Sequence, residues 1–261
     1  MIFESAPKIL GMGYAIVALL LLSFVLKKQK FTKLIRYIFL FVTTGAGFLI
    51  FAPSLPVQFQ NLLVLRPDKI SSQYLLLIVG VLAFIGLTLL LGRIFCGYLF
   101  PFGAIQEIAY WLSTQKFKIS SKKALTWIHA LVFVVFLVMG IFLSKTILGY
   151  FGLRHFFYLR VATVFFYVFL GIVLTSIFVY RPFCRGICPY GYLLSLASAK
   201  SRYELTRTDR CTDCGLCEVA CPTDEAKRGD SKAECYLCGR CIDACPVDAI
   251  EYSRSHEEDR K

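Results

Sequence analysis

Long runs of apolar residues, broken by short polar stretches, organise roughly the first 180 residues of the chain. Runs of about 20 apolar residues predict helices that cross a membrane. Five such runs, or near approaches to them, lie at about Ile9–Leu26, Tyr37–Ala52, Tyr74–Leu91, Leu125–Leu143 and Val161–Tyr180. The second run is short, and we expect the Arg36 side chain to extend it by snorkelling to the interface. The pattern therefore predicts an α-helical integral membrane protein with about five transmembrane helices.

Composition and charge fit a membrane protein better than a soluble one. The chain has 261 residues, of which 57% are hydrophobic, and its formal net charge is +12. Residues 1–200 hold 19 basic and three acidic residues, whereas residues 201–261 hold 10 basic and 14 acidic ones. A basic balance also suits nucleic-acid binding. Here the positive charges lie in short loops between apolar runs, which favours contact with lipid headgroups and no nucleic-acid partner.

The distribution of Lys and Arg among the loops predicts an orientation. The loops after the first and third runs hold ten of them, and the opposite side holds six. An excess of Lys and Arg is typical of cytoplasmic loops. With five spans, the N-terminus then lies outside and the C-terminal region lies in the cytoplasm. The expected location is a prokaryotic cell (inner) membrane.

Eight of the 11 cysteines form two copies of one spacing pattern near the C-terminus. Cys211, Cys214, Cys217 and Cys221 precede Pro222, and Cys235, Cys238, Cys241 and Cys245 precede Pro246. Two-residue gaps wrap the chain around an iron–sulfur cluster and supply three of its thiolates. Disulfides fit a cytoplasmic segment poorly, and a zinc site requires two cysteine pairs with a longer spacer between them. The pattern therefore predicts [4Fe–4S] clusters.

These motifs resemble the bacterial-type 2[4Fe–4S] ferredoxin domain, a small β-α-β-β-α-β unit, over about Thr206 to Tyr252. In such domains the fourth cysteine of each run ligates the other cluster. One cluster would then be held by Cys211, Cys214, Cys217 and Cys245, and the second by Cys235, Cys238, Cys241 and Cys221. We expect a transmembrane domain over residues 1–200 and a small α+β, cytoplasmic ferredoxin domain over residues 201–261.

A second internal repeat has an offset of 88 residues. Arg93, Phe95, Cys96, Pro101 and Gly103 correspond to Arg181, Phe183, Cys184, Pro189 and Gly191. The repeats span about residues 70–113 and 160–200. In each, the motif follows an apolar run and precedes a short apolar segment, Ala104–Leu112 or Tyr192–Ala199. We expect these two segments to form short helices at the cytoplasmic membrane surface.

The twin motif followed by a ferredoxin domain resembles the NapH, NosR and MauN type of membrane 4Fe–4S protein. The mark of that type is a pair of Cys-x3-Cys-Pro motifs at cytoplasmic ends of membrane spans. Cys184, Cys188 and Pro189 match it completely, whereas Phe100 stands in the first copy where the second cysteine would be. The resemblance implies a membrane protein that relays electrons between the quinone pool and a redox partner.

The cysteines of this repeat allow two interpretations. Cys96, Cys184 and Cys188 would hold a [3Fe–4S] centre, or a [4Fe–4S] cluster with one non-cysteine ligand, if the repeats pack about a pseudo-two-fold axis. Alternatively they are ordinary buried cysteines. For His129 we prefer a hydrogen-bonded residue to a ligand. Glu107 is either a proton acceptor for quinol oxidation or the ion-pair partner of Arg93 or a lysine, and we favour the ion pair.

We therefore expect an iron–sulfur electron-transfer protein of the membrane. It would connect the quinone pool, or a cytoplasmic donor, with a redox partner protein, acting as a quinol dehydrogenase or an oxidoreductase subunit. One alternative is a membrane anchor and electron-relay subunit of a larger oxidoreductase complex, without a quinone site. Another is an assembly factor that reduces a metal or cofactor for a partner enzyme.

Overall fold

The computed structural model describes residues 17–26, 28, 31–49, 59–60, 62, 72–119, 121–142 and 148–254. Its N-terminal part, up to residue 200, is helical. The main helices are α1 (Val17–Leu26), α2 (Lys33–Leu49), α3 (Ser72–Leu91), α4 (Pro101–Leu112), α5 (Lys122–Ile141), α6 (Leu153–Phe157), α7 (Val164–Thr175) and α8 (Pro189–Ser198), with a 3-10 turn at Leu148–Phe151. The predicted run ends at residues 9–16, 50–52 and 143, and the tail from residue 255, lie outside the described residues.

Each cysteine motif of the 88-residue repeat forms the same unusual turn. A π-helical turn covers Phe95–Leu99 in the first copy and Phe183–Ile187 in the second. The amide of Phe100 donates to the carbonyl of Phe95 over 3.0 Å, and the amide of Cys188 donates to Phe183 over 2.9 Å. A proline then begins α4 and α8, where it needs no amide partner. The repeat thus holds in the backbone as well as in the sequence.

The two copies pack on each other in a crossed arrangement. Helix α3, which precedes the first motif, packs on α8 of the second copy, and α7, which precedes the second motif, packs on α4 of the first. Helix α2 packs on α4, and α5 packs on α8. The repeat therefore extends upstream to α2 and α5, which the sequence motif did not indicate, and equivalent helices of the two copies make equivalent contacts.

Helices α4 and α8 lie inside this assembly rather than at its surface. Their buried residues include Phe102, Gln106, Tyr190 and Leu194, each at most 3% exposed. Both segments form helices as expected, and their position at the cytoplasmic membrane surface stays a prediction. Their burial follows from the crossed packing, which covers one face of each short helix with the long helix of the other copy.

The C-terminal part, residues 201–254, is a small α+β unit of the ferredoxin type. Strands β1 (Tyr203–Arg207) and β2 (Ile250–Arg254) pair antiparallel, with Leu205 opposite Tyr252. Two short helices, α9 (Leu216–Ala220) and α10 (Arg240–Asp243), lie between them. The β-α-β-β-α-β unit has two more strands than this part of the chain shows. The segment between the helices runs instead as loops around the cysteines.

One described helix, α5, is long and apolar enough to cross a membrane by its length and composition. Three shorter apolar helices lie at Val17–Leu26, Ile78–Leu91 and Val164–Thr175. Helices α1, α2, α3, α5 and α7 fall within or close to the five predicted runs. Five transmembrane spans stay a prediction.

Candidate functional site

Four cysteines line a cavity of about 350 Å³ where the C-terminal part meets the N-terminal helices. They are Cys221, Cys235, Cys238 and Cys241, and we call this set the interface site. Tyr180, at the end of the fifth apolar run, and Tyr236 also line the cavity. Burial raises the pKa of Cys235 and Cys241, which favours the protonated thiols. Metal binding would displace these protons.

The other four cysteines line a smaller cavity on the far side of the same domain. They are Cys211, Cys214, Cys217 and Cys245, and we call this set the outward site. Cys214 is exposed, whereas Cys217 is buried. Each cavity thus gathers one of the two predicted ligand sets, including the exchange of the fourth cysteine between runs. The ligation itself stays a prediction.

The two cysteine runs share a backbone geometry at an offset of 24 residues. Positive φ angles recur at Asp213 and Leu237, at Gly215 and Gly239, and at Asp224 and Asp248. The amide of Glu225 donates to Cys221 Sγ over 3.4 Å, and the amide of Ala249 donates to Cys245 Sγ over 3.2 Å. Amide hydrogen bonds to cysteine sulfur are one of the means by which proteins tune iron–sulfur clusters.

The residues present fit such a cluster. Arg207 lines both cavities, and its Nε is buried without a hydrogen-bond partner among the described residues. A buried donor beside thiolates suits an anionic group rich in acceptors. Within the described ranges, no three Cys, His, Asp or Glu side chains converge on the position of a single metal ion. A cluster makes a different demand, because each cysteine binds its own iron. When bound, the clusters would supply one-electron carriers.

Ion pairs join the C-terminal part to the N-terminal helices. In six of the twelve pairs among the described residues, the base belongs to the N-terminal part and the acid to the C-terminal part. They are Arg36–Asp243, Arg93–Glu234, Arg185–Glu234, Lys118–Asp224, Lys122–Glu225 and Lys122–Asp230. The charged loop from Asp224 to Ala233 is therefore partly docked, and Glu225 is only 2% exposed.

Arg36 illustrates this docking most directly. We expected it to snorkel to lipid, but it is 5% exposed, and its Nη1 donates to the carbonyl of Cys238 over 2.8 Å. The expectation was wrong because the acidic C-terminal part offers the guanidinium buried acceptors, which lipid headgroups would otherwise have to provide.

The equivalent arginines of the 88-residue repeat meet around one tyrosine. Tyr236, next to Cys235, is 1% exposed. The Arg93 and Arg181 guanidinium carbons lie 4.3 and 4.7 Å from its ring centroid. Each arginine also reaches the other repeat. Arg93 donates to the carbonyl of Gly191 over 3.1 Å, and Arg181 donates to that of Cys96 over 2.6 Å. Sequence reasoning missed Tyr236, although the matched arginines were visible in the repeat.

Cys96, Cys184 and Cys188, which we call the buried trio, lie together behind this contact. All three are at most 7% exposed. Burial raises the pKa of Cys184 to about 11. Cys188 caps α8, where its Sγ accepts from the amide of Gly191 over 3.3 Å. A cluster at the trio stays a prediction.

Cys184 and Cys188 do not share a turn of α-helix. Cys184 lies in the π-helical turn, and Cys188 has extended backbone, with φ −74° and ψ 107°. Gln106, which sequence reasoning also missed, lies beside the trio. Its Nε2 is 3.4 Å from Cys184 Sγ, and its Oε1 accepts from the amide of Phe183 over 3.1 Å. Gln106 is uncharged and belongs to no sequence motif, so the sequence did not indicate its place beside the trio.

Glu107 and His129 both occupy structural positions. Glu107 is paired as favoured, but with Arg181 at 2.8 Å and Arg240 at 2.5 Å rather than with Arg93 or a lysine. The Tyr180 hydroxyl also donates to it over 2.7 Å. His129 Nε2 lies 2.9 Å from the carbonyl of Cys188, so that it is a hydrogen-bonded histidine.

Comparison with known families agrees with the cysteine geometry. A 4Fe-4S binding domain model matches residues 74–120 and 161–203, which are the two copies of the 88-residue repeat. A second 4Fe-4S binding domain model matches residues 206–224 and 231–251, which are the two cysteine runs. Both parts of the chain thus match 4Fe-4S binding domains. These matches support iron–sulfur electron transfer as its chemistry, while the narrower NapH, NosR and MauN type stays a prediction.

Curated relatives match only part of the chain and of themselves. Two uncharacterized proteins of Methanocaldococcus jannaschii are 32% and 30% identical to 56% and 59% of this chain. YccM of Escherichia coli K12, assigned by its name to electron transport, is 26% identical over 54%. The chain spans 65%, 60% and 44% of the lengths of these three relatives. No solved structure matches the chain.

Proposed function

We propose that this protein is a membrane-bound relay that passes single electrons between the quinone pool, or a cytoplasmic donor, and a redox partner protein. The observation that carries the proposal is the pair of four-cysteine cavities, one lined by residues of the C-terminal part alone and one lined also by Tyr180 of the N-terminal part. A donor of one electron at one end and an acceptor of one electron at the other complete the balance. The quinone pool enters through the resemblance to the NapH type.

Exposed apolar side chains support the membrane location. On α5, residues spaced three or four apart point outward and are 44–76% exposed: Trp127, Leu131, Val134, Val138 and Ile141. On α7, the equivalent set is Val164, Tyr167, Val168 and Leu174. Contiguous apolar surface of this kind marks an interaction site for a membrane or a protein. Lipid is the solvent that suits exposed apolar residues on several long helices together.

Iron content tests the relay directly. Anaerobically isolated full-length protein is expected to hold about eight irons at the ferredoxin cysteines, plus about three or four if the buried trio carries a centre. Replacing Cys238 with serine should remove about four of the eight, because it opens the interface site alone. Replacing Cys184 with serine should remove only the excess.

The two variants control for each other. Equal iron in wild type and Cys184→Ser protein, together with a loss in Cys238→Ser protein, would show that the trio is structural. About one iron per chain in the wild type, or zinc after anaerobic reconstitution, would refute the two-cluster proposal itself.

The orientation is tested by reporter fusions. We propose an outside N-terminus and a cytoplasmic ferredoxin domain, so that reporters placed after Leu26, Leu91 and Lys261 should all show the cytoplasmic signal. A reporter fused after Ile141 serves as the control, since it should show the opposite side. A periplasmic signal at Lys261 would mean an even number of spans or inverted insertion.

The alternative of an anchor and relay subunit without a quinone site rests on Glu107. It is the lone acid between residues 70 and 200, and three donors hold it. A carboxylate bound in this way is a poor proton acceptor for quinol oxidation. Bleaching or reduction of the clusters by added quinol would favour the relay with a quinone site, and no spectral response would favour the anchor subunit. The assembly-factor alternative predicts instead a partner enzyme that binds transiently and dissociates with its metal or cofactor reduced.

A further inference from the structure

The exposed large apolar side chains of the C-terminal part lie beside the outward site. Within residues 201–254 they are Val219, Leu216 and Val247, which are 80%, 49% and 38% exposed. Val247 lines the outward cavity together with Cys214, which is also exposed. Leu216 is two residues from Cys214, and Val219 follows it by three residues on α9, so that both lie on the same side of that helix. We call these four residues the open face.

The second cysteine run shows how the equivalent face is used elsewhere in the molecule. The runs repeat at an offset of 24 residues. Five residues of the second run, which we call the docked face, contact the N-terminal part: Tyr236, Leu237, Cys238, Arg240 and Asp243. Their counterparts in the first run are all exposed: Thr212, Asp213, Cys214, Leu216 and Val219. The same face of the repeated unit is thus an interface in the second run, whereas the described residues leave it uncovered in the first.

The two faces differ in their chemistry. In the docked face, Arg240 and Asp243 form ion pairs with the N-terminal part. At the corresponding positions the open face carries Leu216 and Val219. Exposed apolar side chains that lie together mark an interaction site. A partner of the open face therefore has to offer apolar surface, where the N-terminal part offers charged groups to the docked face.

Charges of both signs surround the open face, and most of them are paired with one another. Three arginines form ion pairs with three acids: Arg207, Arg210 and Arg228 with Asp213, Glu218 and Glu251. Lys118, at the edge of the face, binds the carbonyl of Glu218 and pairs with Asp224. Asp209 and Asp248 add exposed carboxylates. This mixture does not favour an anionic lipid surface, which attracts faces rich in Lys and Arg, so that apolar contact decides the partner.

The size of the open face favours a transient partner over a second copy of the chain. A stable interface takes roughly 20–30 residues from each side, whereas electron-transfer complexes belong to the smallest protein interfaces. The open face has three exposed large apolar side chains around the exposed Cys214. It also borders an established contact, because Lys118 of the N-terminal part reaches α9 at Glu218. A small protein that docks here would meet the outward site directly.

We propose that the open face docks a soluble one-electron carrier protein, transiently, through apolar surface around the exposed edge of that carrier's cofactor. One electron passes between the carrier and the centre at the outward site. One of the two is oxidised and the other is reduced, and no bond is made or broken. The same face serves transfer in either direction. This inference rests on the proposed iron–sulfur function.

Electron exchange with a flavodoxin tests the inference, because the flavin of such a carrier exposes an apolar edge. Purified full-length protein is mixed anaerobically with flavodoxin, one of them reduced and the other oxidised, in whichever direction the transfer is downhill, and cluster absorbance is followed by stopped flow. Methyl viologen, a small carrier that needs no docking surface, provides the reference rate. Replacing Val219 with aspartate should lower the ratio of the flavodoxin rate to the viologen rate by about tenfold or more.

Two matched variants separate apolar docking from charge and damage. Ser231→Asp adds the same charge at an exposed position outside the open face, and its ratio should equal that of the wild type. Val219→Leu keeps an apolar side chain and should retain most of the flavodoxin rate. If Val219→Asp protein loses iron, Val219→Ser, which adds no charge, takes its place. The flavodoxin rate of the wild type should change by less than about threefold between about 0.05 and about 0.5 M salt, because charge does not guide the docking.

Several outcomes would overturn the inference. They are an unchanged ratio in the Val219 variant that has full iron content, a steep fall of the wild-type rate with salt, and a dimer in detergent that the Val219 substitution dissociates, which would make the face a contact between copies. A wild type that reacts with viologen but not with flavodoxin would overturn the inference and leave the proposed relay standing. A wild type without two clusters would refute the proposed function itself, which the iron content reveals before any kinetic measurement.

Discussion

Replacing Glu107 with glutamine is expected to lower the free energy of unfolding by about 3–5 kcal/mol, because it leaves the guanidinium groups of Arg181 and Arg240, whose side chains are 1% and 22% exposed, without their counter-ion. Glu107 accepts from Arg181 Nε at 2.9 Å and pairs with Arg240 Nη2 at 2.5 Å. Glutamine keeps the shape and one acceptor oxygen but loses the charge. Thermal or denaturant unfolding in detergent, with cluster absorbance and tryptophan fluorescence as separate probes, measures the effect.

The Arg210–Glu251 pair provides the control. It lies at the surface, with side chains 58% and 35% exposed. Replacing Glu251 with glutamine should therefore change stability by at most about 1 kcal/mol. Similar losses in the Glu107 and Glu251 variants would contradict the assigned role of Glu107.

The ion pairs of Glu107 with Arg181 and Arg240 predict that stability depends on pH. Burial alone would raise the pKa of Glu107, but Arg240 and Arg181 lower it from its ordinary 4.5 to about 2. A carboxyl whose pKa is depressed by folding stabilises the protein fully above its unfolded pKa and loses that contribution as the pH falls toward its folded pKa. The stability difference between wild type and Glu107→Gln should therefore be constant above about pH 5 and shrink between pH 4.5 and 2.

Replacing Gly97 with alanine is expected to loosen the contact between the ferredoxin part and the N-terminal helices. A Cβ at Gly97 would lie 2.4 Å from the backbone carbonyl oxygen of Tyr236, which cannot move without shifting the cysteine loop. Forcing an extra carbon into a close contact costs about 1–3 kcal/mol. Hydrogen exchange of the amides from Glu234 to Gly239 should rise, and the interface site should lose iron more readily to a chelator.

Gly186 offers a matched control in the other π-helical turn. A Cβ built there meets no atom within 4 Å. Gly186→Ala should thus behave as the wild type in both measurements. If Gly97→Ala also did so, the loop around Tyr236 would have to be mobile enough to absorb the clash.

The geometry of the cysteine loops could be predicted from the sequence because its determinants are local. The spacing around Cys235, Cys238 and Cys241 specifies a loop that wraps one centre, and the 24-residue repetition of positive φ angles follows from the same spacing. The contact between domains could not be predicted in this way. It depends on residues that lie close only after folding, such as Arg36 and Cys238.

The charge distribution is an intermediate case. The basic N-terminal and acidic C-terminal parts were visible in the sequence, and they were interpreted as signs of membrane topology. Lys122 shows why that interpretation was incomplete, since it pairs with Glu225 and Asp230 of the same chain. A lysine near a membrane can face lipid or a second domain, and only the fold decides between them.

The crossed arginines have a consequence for the architecture of the chain. Arg93 donates to a carbonyl of the second repeat, and Arg181 donates to carbonyls of the first. Each arginine thus finds backbone acceptors in the other half of the repeat. The pair resembles a two-fold dimer joined into one polypeptide. In a true homodimer every substitution would occur twice. Fusion removes that constraint, and here it lets a phenylalanine stand at position 100 while its counterpart, position 188, keeps a thiol.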